Sequence, residues 1–281
     1  MMSIFKDKQY LRVNVDKAPD DSLWMKCKAC GELVFKRRVR ENSNICPSCG
    51  EYFFLTVEER IEMLVDADSF DNISKSIEAD DPLHFVDRTS YQDRIEKAQG
   101  LTGLPDAIVV GRATITQSPV VLAVMDFRFI GGSMGSVMGE QICHGMETAI
   151  EDRCPFILVS SSGGARLQEG LFSLLQMAKT AAVRAKLAEA GLPFISIMTY
   201  PTSGGVQASI ASLGDIIIAE RGAMIGFAGR RVIQFTIAQE LPADYQTDAF
   251  AFEHGAIDRV VQRANMREEL SSLLGFFVEV A

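Results

Sequence analysis

The stretch "PFISIMTYPTSGGVQASIASLG", residues 193–214, contains the pattern that decides the fold. An apolar run is followed by a glycine pair, Gly204 and Gly205, and then by apolar residues at helical spacing. Glycine lets backbone N–H groups approach a ligand closely and adopts dihedral angles that other residues avoid. The pair is therefore either an ordinary strand-to-helix turn or a hydrogen-bond donor site made of main chain, and this stretch alone leaves both interpretations open.

The same plan occurs twice earlier in the chain. The apolar run "PVVLAVMDF" (119–127) precedes "GGSMG" (131–135), and "PFILVS" (155–160) precedes "SSGGAR" (161–166). A helical pattern follows each of these turns. Such an alternation predicts an α/β body in which successive glycine turns sit at equivalent edges of the strands.

One of the predicted helices has the alanine-rich sequence "LFSLLQMAKTAAVRAKLAEA" (171–190). Gly191 and a nearby proline are common stop signals after a helix. Its many alanines favour close packing, and we expect Leu174, Leu175 and Met177 to be core residues.

Composition excludes some classes of protein. With 281 residues, of which 47% are hydrophobic and 23% charged, the chain can bury a large core, with or without a small accessory module. No run approaches the roughly 18 consecutive apolar residues of a membrane span, and the start of the chain has no signal-peptide pattern. We therefore predict a cytoplasmic protein without membrane contacts. A formal net charge of −9 argues against general affinity for nucleic acids or anionic membranes.

Four of the six cysteines have the spacing of a metal site. Cys27 and Cys30 form one C-x2-C turn, and Cys46 and Cys49 form a second after fifteen residues. Four thiolates at this spacing are typical of a tetrahedral zinc ribbon, and a glycine after each turn permits its tight geometry. The alternative, a pair of disulfides, is disfavoured in a reducing cytosol.

The remaining two cysteines, Cys143 and Cys154, lie in apolar-patterned sequence. We predict them to be buried, unreactive thiols.

The predicted ribbon is basic, whereas the rest of the chain is acidic. Residues 26–50 contain six Lys and Arg against two Glu, a side-chain sum of 6 − 2 = +4 without the thiolates, so the remainder carries −9 − 4 = −13. A basic ribbon on an acidic body suggests contact with a phosphorylated partner, either a nucleotide-bearing substrate or nucleic acid. A charged hairpin that is simply exposed to solvent would explain the same composition.

Changes of pattern along the chain divide it into three regions. Residues 1–22 are predicted to be a weakly ordered tail, residues 23–56 the zinc ribbon, and residues 57–281 the main body. No low-complexity linker separates the last two.

Two common chemistries fit the glycine turns poorly. A phosphate-binding loop is excluded, because no glycine is followed by Lys-Ser or Lys-Thr and no G-x-G-x-x-G follows a strand. "GGSMG" matches the G-x-S-x-G pattern of serine hydrolases, with Ser133 as nucleophile and His254 downstream. However, "RFI" separates this serine from the preceding strand, which removes the sharp turn that such a nucleophile needs.

A third chemistry needs glycines more than charged side chains: backbone N–H groups can stabilise an enolate that forms at a thioester. Five longer motifs point to one family with this chemistry. "VMDFRFIGGSMGSVMGE", "SSGGARLQEG", "PTSGGVQAS", "LGDIIIAE" and "IGFAGRRVI", behind a four-cysteine ribbon, resemble in their order the acetyl-CoA carboxylase carboxyltransferase β-subunit family. The resemblance covers nearly all of residues 22–270.

This resemblance implies a crotonase-like (ClpP/crotonase) spiral of ββα units over residues 57–281, behind the ribbon. It implies transfer of a carboxyl group from carboxybiotin on a carrier protein to acetyl-CoA, giving malonyl-CoA for fatty acid biosynthesis. It further implies an α-subunit partner in an assembly of two α and two β chains, with biotin carboxylase in the full complex. Biotin then serves as the base.

The resemblance also implies roles for individual residues. Gly204 and Gly205 would face the acyl-CoA carbonyl as oxyanion donors, with Gly163 and Gly164 as a neighbouring wall or second donor. The first glycine turn would shape the CoA entrance through Gly131, Gly132 and Gly135. Arg230 or Arg231 would lie near the active-site mouth or the carrier protein, or else form a structural salt bridge.

The chain departs from the usual family pattern at several positions. These include Gln141, Tyr200, Gln234 and Phe235, none of which is a zinc ligand or belongs to the glycine pair. The alternatives left open are a diverged acyl-CoA carboxyltransferase paralogue, a nucleic-acid-binding zinc-ribbon protein, and a serine hydrolase.

Overall fold

The computed structural model describes residues 23–229, 233–234, 236 and 240–278, and it divides the chain into two compact units between Phe53 and Phe54. The predicted tail over residues 1–22 lies outside the described residues. We call the first unit the ribbon and the second the body. The three residues before the predicted boundary, 54–56, group with the body.

The ribbon is a small hairpin followed by a short helix. Strands β1 (Trp24–Lys26) and β2 (Leu33–Phe35) pair antiparallel, and α1 (Lys36–Glu41) follows directly. Its buried hydrophobic cluster consists of four residues: Cys27, Val34, Val39 and Cys46. So small a core leaves the ribbon dependent on other stabilising interactions.

The body is an α/β structure built on one sheet. Its strands are β3 (Asp71–Asn72), β4 (Ile108–Ile115), β5 (Ser118–Met125), β6 (Phe156–Ser162), β7 (Phe194–Ser203), β8 (Ile216–Glu220), β9 (Ile225–Gly226) and β10 (Arg259–Val261). Its helices are α2 (Val57–Leu64), α3 (Tyr91–Thr102), α4 (Ser136–Asp152), α5 (Leu171–Glu189), α6 (Gly204–Gln207), α7 (Asp248–Glu253) and α8 (Met266–Val278). None of the helices in the described ranges has the length and apolarity needed to cross a bilayer.

The sheet has the order β10-β8-β7-β6-β5-β4-β3, with β9 beside the end of β7. The run from β5 through β6, β7 and β8 to β10 is parallel, while β3, β4 and β5 pair antiparallel. Parallel strands are usually covered on both faces, and every residue of β6 is buried accordingly. The predicted alternation of β-runs, glycine turns and helices is confirmed.

Two hydrophobic clusters cover the faces of the sheet. One contains Phe156, Leu158 and Phe194 and is closed by residues of α3, α4 and α5. The other contains the alternate strand residues, such as Ile157 and Ile195, and is closed by α2 and α8. Side chains that alternate between faces along a strand explain this division.

Helix α5 differs from the prediction. Leu174 and Leu175 are 52% and 53% exposed, so their assignment to the core was wrong, whereas Met177 is partly buried against the first cluster. The face that α5 buries consists of Ser173, Gln176, Thr180, Val183 and Leu187. The polar part of this face packs closely on α4, where the Gln176 side chain occupies the space that a Cβ at position 139 would need.

A buried ion cluster stabilises the α2 and α8 side of the body. Arg60 on α2 and Arg263 after β10 both donate to the carboxylate of Glu220 at the end of β8, with shortest N–O distances of 2.5 and 2.7 Å. Burial by itself would raise the pKa of Glu220, but the two arginines lower it to about 2. The carboxylate is therefore charged at neutral pH.

We expect Glu220→Gln to lower the free energy of unfolding at pH 7 by about 3–5 kcal/mol, because two buried guanidinium groups lose their carboxylate. Since folding lowers the pKa of Glu220 from 4.5 to about 2, its contribution is full above the higher value and is lost as the pH falls through the lower one. Denaturant unfolding of both proteins at several pH values measures the difference.

The exposed pair Arg112–Asp152 provides the matched control for this experiment. Asp152→Asn should change the free energy of unfolding by less than about 1 kcal/mol, because solvent screens that pair. Equal effects of the two substitutions at pH 7 would contradict the assignment.

Candidate functional site

Three glycine turns follow three neighbouring parallel strands. Residues 131–135 come after β5, Gly163 and Gly164 after β6, and Gly204 and Gly205 after β7. Because β5, β6 and β7 are adjacent in the sheet, their carboxyl ends bring the turns to one edge.

The first and second turns are joined by backbone hydrogen bonds. The Gly163 N–H donates to the Gly131 oxygen at 2.8 Å, and the Met134 N–H donates to the Gly164 oxygen at 2.8 Å. The Arg166 N–H donates in turn to the Met134 oxygen at 3.0 Å. These bonds fix Ala165, the residue between Gly164 and Arg166, opposite Met134.

The second and third turns approach each other backbone to backbone. A Cβ at Gly204 would lie 2.8 Å from the Gly163 oxygen and 2.9 Å from the Gly164 Cα. Conversely, a Cβ at Gly164 would lie 2.9 Å from the Gly205 nitrogen. Gly164 and Gly204 also have positive φ angles of 118° and 59°. Glycine is required at both positions, and the two predicted glycine pairs are neighbours in space.

Most N–H groups of these glycines already have partners. Gly163 donates to Gly131, Gly164 donates to the Ser162 hydroxyl at 3.0 Å, and Gly204 donates to the Phe227 oxygen at 3.0 Å. Among the described residues, the N–H of Gly205 has no hydrogen-bond partner.

A second unpaired N–H lies beside it. Within the described part of the chain the Ala165 N–H has no partner either, and a Cβ at Gly205 would lie 3.4 Å from the Ala165 nitrogen. Both residues are partly accessible. Two adjacent donors of this kind can bind one negatively charged oxygen. Sequence reasoning missed Ala165, although its place directly after the second glycine pair was a usable signal.

The first turn is shaped by its neighbours. Gly131 and Gly132 have φ angles of 65° and 61°, and a Cβ at Gly132 would lie 2.0 Å from the Ser161 oxygen. Gly135 precedes α4, where a Cβ would lie 2.2 Å from a carboxylate oxygen of Glu169. The close approaches at Gly132 and Gly135, together with the hydrogen bond from Gly163 to Gly131, hold the first turn against the second.

Ser133 does not have the environment of a hydrolase nucleophile. Its hydroxyl donates to the Ile130 oxygen at 2.8 Å and accepts from the Arg166 guanidinium at 3.3 Å. The ring of His254 stacks on Phe250, and its Nδ1 lies 2.9 Å from the Phe250 oxygen. The structure therefore gives Ser133 a cationic partner and pairs His254 elsewhere.

The departures from the family pattern have different surroundings. Gln141 is buried and exchanges two hydrogen bonds with the backbone of Lys75, at 2.9 and 2.7 Å. Tyr200 is half exposed and packs near Phe54. Gln234 is partly buried. Phe235, like Arg230 and Arg231, lies outside the described residues.

The four ribbon cysteines are arranged to hold a metal ion. All their Sγ atoms lie within 4.8 Å of one another, and the Cys27–Cys49 and Cys30–Cys46 pairs are separated by 3.7 and 4.0 Å. A tetrahedron with zinc–sulfur bonds of about 2.3 Å has edges of about 3.8 Å, so the thiols fit zinc. The backbone N–H of Cys30 lowers the pKa of Cys27 to about 7. For Cys49, the backbone N–H of Glu51 also lowers the pKa, but burial and the neighbouring thiols outweigh this effect and raise the pKa overall. A bound zinc cation would stabilise all four thiolates.

The two cysteine turns have matching backbones. Gly31 and Gly50 have φ angles of 74° and 78°, and each donates its N–H to the first cysteine of its turn, at 2.9 and 3.0 Å. The predicted role of these glycines is confirmed. The prediction for the other two cysteines also holds: Cys143 and Cys154 are buried, and burial raises the pKa of each thiol to about 11.

Family profiles match both units. The profile described as "Carboxyl transferase domain" matches residues 54–270, and that described as "Acetyl-CoA carboxylase zinc finger domain" matches residues 24–49. The chain is 50% identical to the acetyl-coenzyme A carboxylase carboxyl transferase subunit beta of Citrifermentans bemidjiense, over 92% of this chain and 91% of the relative. It is 45% identical to the subunit of the same name from Desulforamulus reducens, over 98% of each.

Solved structures of related enzymes share the fold. The chain resembles transcarboxylase 12S with methylmalonyl-coenzyme A bound, with a TM-score of 0.65 and 29% identity over 85% of this chain. It spans 43% of that transcarboxylase chain. It also resembles a Pseudomonas malonate decarboxylase heterodimer, with a TM-score of 0.60 and 25% identity over 80% of this chain and 86% of the other.

We expect one zinc ion per chain, and Cys46→Ser should lose it and unfold the ribbon, because thiolate binding replaces a hydrophobic core there. Cys154→Ser, which changes a buried thiol of the body, should keep the metal. Elemental analysis of protein purified under reducing conditions measures the content, and limited proteolysis reports the state of the ribbon. Metal-free wild-type protein, or full zinc content in Cys46→Ser, would contradict the assignment.

Proposed function

Because the chain belongs to the family of acetyl-coenzyme A carboxylase carboxyl transferase β subunits, we propose that the paired N–H groups of Gly205 and Ala165 are its oxyanion site. The body is a crotonase-like α/β domain, and the ribbon carries a structural zinc ion. The enzyme transfers a carboxyl group to acetyl-CoA, which forms malonyl-CoA for fatty acid biosynthesis.

The observation that carries the proposal is the adjacency of the two unpaired donors at the edge of the sheet. In this site the acetyl thioester oxygen accepts from both N–H groups. As the methyl group loses a proton, negative charge develops on that oxygen, and fixed donors stabilise it without having to reorganise. Gly164 and Gly204 contribute the close backbone approach, while Gly163 forms the exposed wall.

Carboxybiotin, carried by a partner protein, supplies the carboxyl group and the base for this reaction. The chain therefore needs no basic side chain at the thioester, and its three histidines, His84, His144 and His254, all lie outside the glycine turns. Its own task is to hold and polarise the acyl group.

The α subunit is proposed to cover the exposed face at the start of α5. Leu171, Phe172, Leu174 and Leu175 are each about half exposed or more, and Leu167 just before them is 79% exposed. Contiguous apolar surface of this kind marks an interaction site. The sulfur of Met177, on the same helix, would lie 3.1 Å from a Cβ at Gly205, so a partner on this face lies next to the oxyanion site.

We propose the rest of the assembly from the family to which the chain belongs. Two α and two β chains form the carboxyltransferase, which works with the biotin carrier protein and biotin carboxylase. The first glycine turn, with Gly131, Gly132 and Gly135, shapes the CoA entrance. Three further points stay predictions. They are the position of Arg230 and Arg231 at the active-site mouth, the domain limits at residues 22 and 56, and a cytoplasmic location.

The exposed positive charge of the ribbon supports contact with a phosphorylated partner. Five of its six cations are exposed and the sixth, Lys36, is partly exposed; the exposed ones are Lys26, Lys28, Arg37, Arg38 and Arg40. CoA phosphates and nucleic acid share this chemistry.

We expect Gly205→Val to reduce malonyl-CoA formation by about 10²-fold or more, because its side chain fills the space beside the Ala165 nitrogen and excludes the thioester oxygen. Gly100→Val is the matched control: Gly100 also lies in a helix, and a Cβ there meets no atom within 4 Å. Steady-state turnover by the complex with the α subunit measures both. An active Gly205→Val variant would overturn the proposed site.

We expect the purified chain alone to self-associate and to form negligible malonyl-CoA, because one oxyanion site cannot stabilise both the acyl group and the biotin. Addition of the α subunit should restore turnover and yield a monodisperse complex. Light scattering and a malonyl-CoA assay measure the two effects. Full turnover by the chain with carboxybiotin alone would refute the need for a partner.

A further inference from the structure

The residue after Ala165 is a completely buried arginine. The Arg166 guanidinium donates to both carboxylate oxygens of Asp106, at 2.6 and 2.8 Å, and to the backbone oxygen of Ser133 at 2.7 Å. Its Cζ lies 5.5 Å from the centre of the Phe129 ring. One side chain thus joins the start of β4, the first glycine turn and the second.

A buried tyrosine and glutamate extend this contact to α4. The Tyr91 hydroxyl accepts from Arg166 at 3.1 Å and donates to Glu169 at 2.6 Å. The second carboxylate oxygen of Glu169 accepts from the N–H of Ser136, the first residue of α4, at 2.6 Å. Glu169 occupies space that is open because position 135 is glycine. We call Arg166, Asp106, Tyr91 and Glu169 the arginine network.

The network sets one guanidinium against two carboxyl groups, those of Asp106 and Glu169. Burial by itself would lower the pKa of Arg166, but the carboxylate of Asp106 more than reverses this, so the guanidinium stays charged. Burial raises the pKa of Tyr91, so its hydroxyl keeps the proton that it donates. A buried ion cluster usually adds little net stability compared with apolar side chains of similar volume. The arginine network therefore contributes chiefly by fixing the geometry of the groups that it joins.

We propose that Arg166 is a positioning residue for carboxyl transfer, which holds the Ala165 N–H beside the Gly205 N–H. This inference rests on the proposed oxyanion site. The backbone of Arg166 bonds to Met134, and its side chain bonds to the backbone of the preceding residue, Ser133. Arg166 therefore holds the first glycine turn through both its backbone and its side chain. A shift of Ala165, its neighbour in the chain, would break these hydrogen bonds.

The expected effect falls on turnover more than on substrate affinity. An oxyanion site stabilises the charge that develops during the reaction, so a displaced donor lowers kcat, while most contacts to CoA persist. A misplacement of about 1 Å can cost about 10²-fold in rate. A purely structural role would instead lower stability and leave kcat unchanged below the unfolding transition.

The second buried ion cluster provides the matched control. Arg60 is also buried and also donates to a buried carboxylate, that of Glu220, but it packs in the cluster on the other face of the sheet. Arg60→Lys and Arg166→Lys both keep the charge and lose the planar fork. The two substitutions should therefore cost similar stability and differ in their effect on the reaction.

The experiment measures kcat, KM for acetyl-CoA and the thermal unfolding midpoint of each variant in complex with the α subunit. We expect Arg166→Lys to lower kcat by about 10²-fold with KM changed less than about threefold, and Arg60→Lys to keep kcat within about twofold of wild type. Tyr91→Phe, which removes one hydroxyl and keeps the ring, should lower kcat by about tenfold and the midpoint by only several degrees, because Glu169 and Arg166 each lose one buried hydrogen bond.

The outcomes separate this inference from the proposed function. An inactive wild-type complex overturns the proposed function and the inference together. An active wild-type complex with unchanged kcat in Arg166→Lys overturns the positioning role alone, as does an equal loss of kcat in the Arg60 and Arg166 variants. If Arg166→Lys does not fold, the kcat of Tyr91→Phe decides between the same two results.

Discussion

The close approach of two backbones at Gly164 and Gly204 is the constraint on which the rest of the site depends. With distances under 3 Å to the atoms that a side chain would meet, neither position tolerates a Cβ. The contact brings the end of β6 against the end of β7, where the N–H groups of Ala165 and Gly205 lack partners among the described residues. Most buried main-chain polar groups are paired within the protein, so two adjacent, partly accessible N–H groups without protein partners are available to a ligand.

The body surrounds this contact with two kinds of support. Hydrophobic clusters on both faces hold the parallel strands, and a buried ion cluster lies on each side. The cluster around Glu220 connects α2 to β8 and the turn after β10, away from the glycine turns. The one around Arg166 connects the turns themselves. A buried arginine–carboxylate cluster thus stabilises the scaffold around Glu220, and a second one joins the glycine turns around Arg166.

Much of this could be predicted from local sequence. Glycine-rich turns between apolar runs and helical patterns gave the α/β architecture, and the spacing of the cysteines gave the metal centre. Both signals are local, because a turn or a C-x2-C loop is fixed by a few neighbouring residues. Long-range pairing is different. Nothing near Arg166 in the sequence reveals Asp106, sixty residues earlier, as its partner.

The errors and omissions have the same origin. Leu174 and Leu175 are apolar like core residues, yet α5 buries Ser173 and Gln176 instead, and the Gln176 side chain fills the space left by Gly139 of α4. The family resemblance also implied that Gly204 and Gly205 are both oxyanion donors, with Gly163 and Gly164 as a wall or second donor. Which N–H groups remain available depends on acceptors such as Phe227, which come from other parts of the chain.

The small core of the ribbon has a consequence for biosynthesis. Two of its four buried hydrophobic residues are cysteines, so the unit cannot keep its packing and release its metal. It also precedes the body in the chain, so the ribosome produces it first. Its folding is therefore coupled to the capture of a zinc ion, which can begin before the body of the chain has been made.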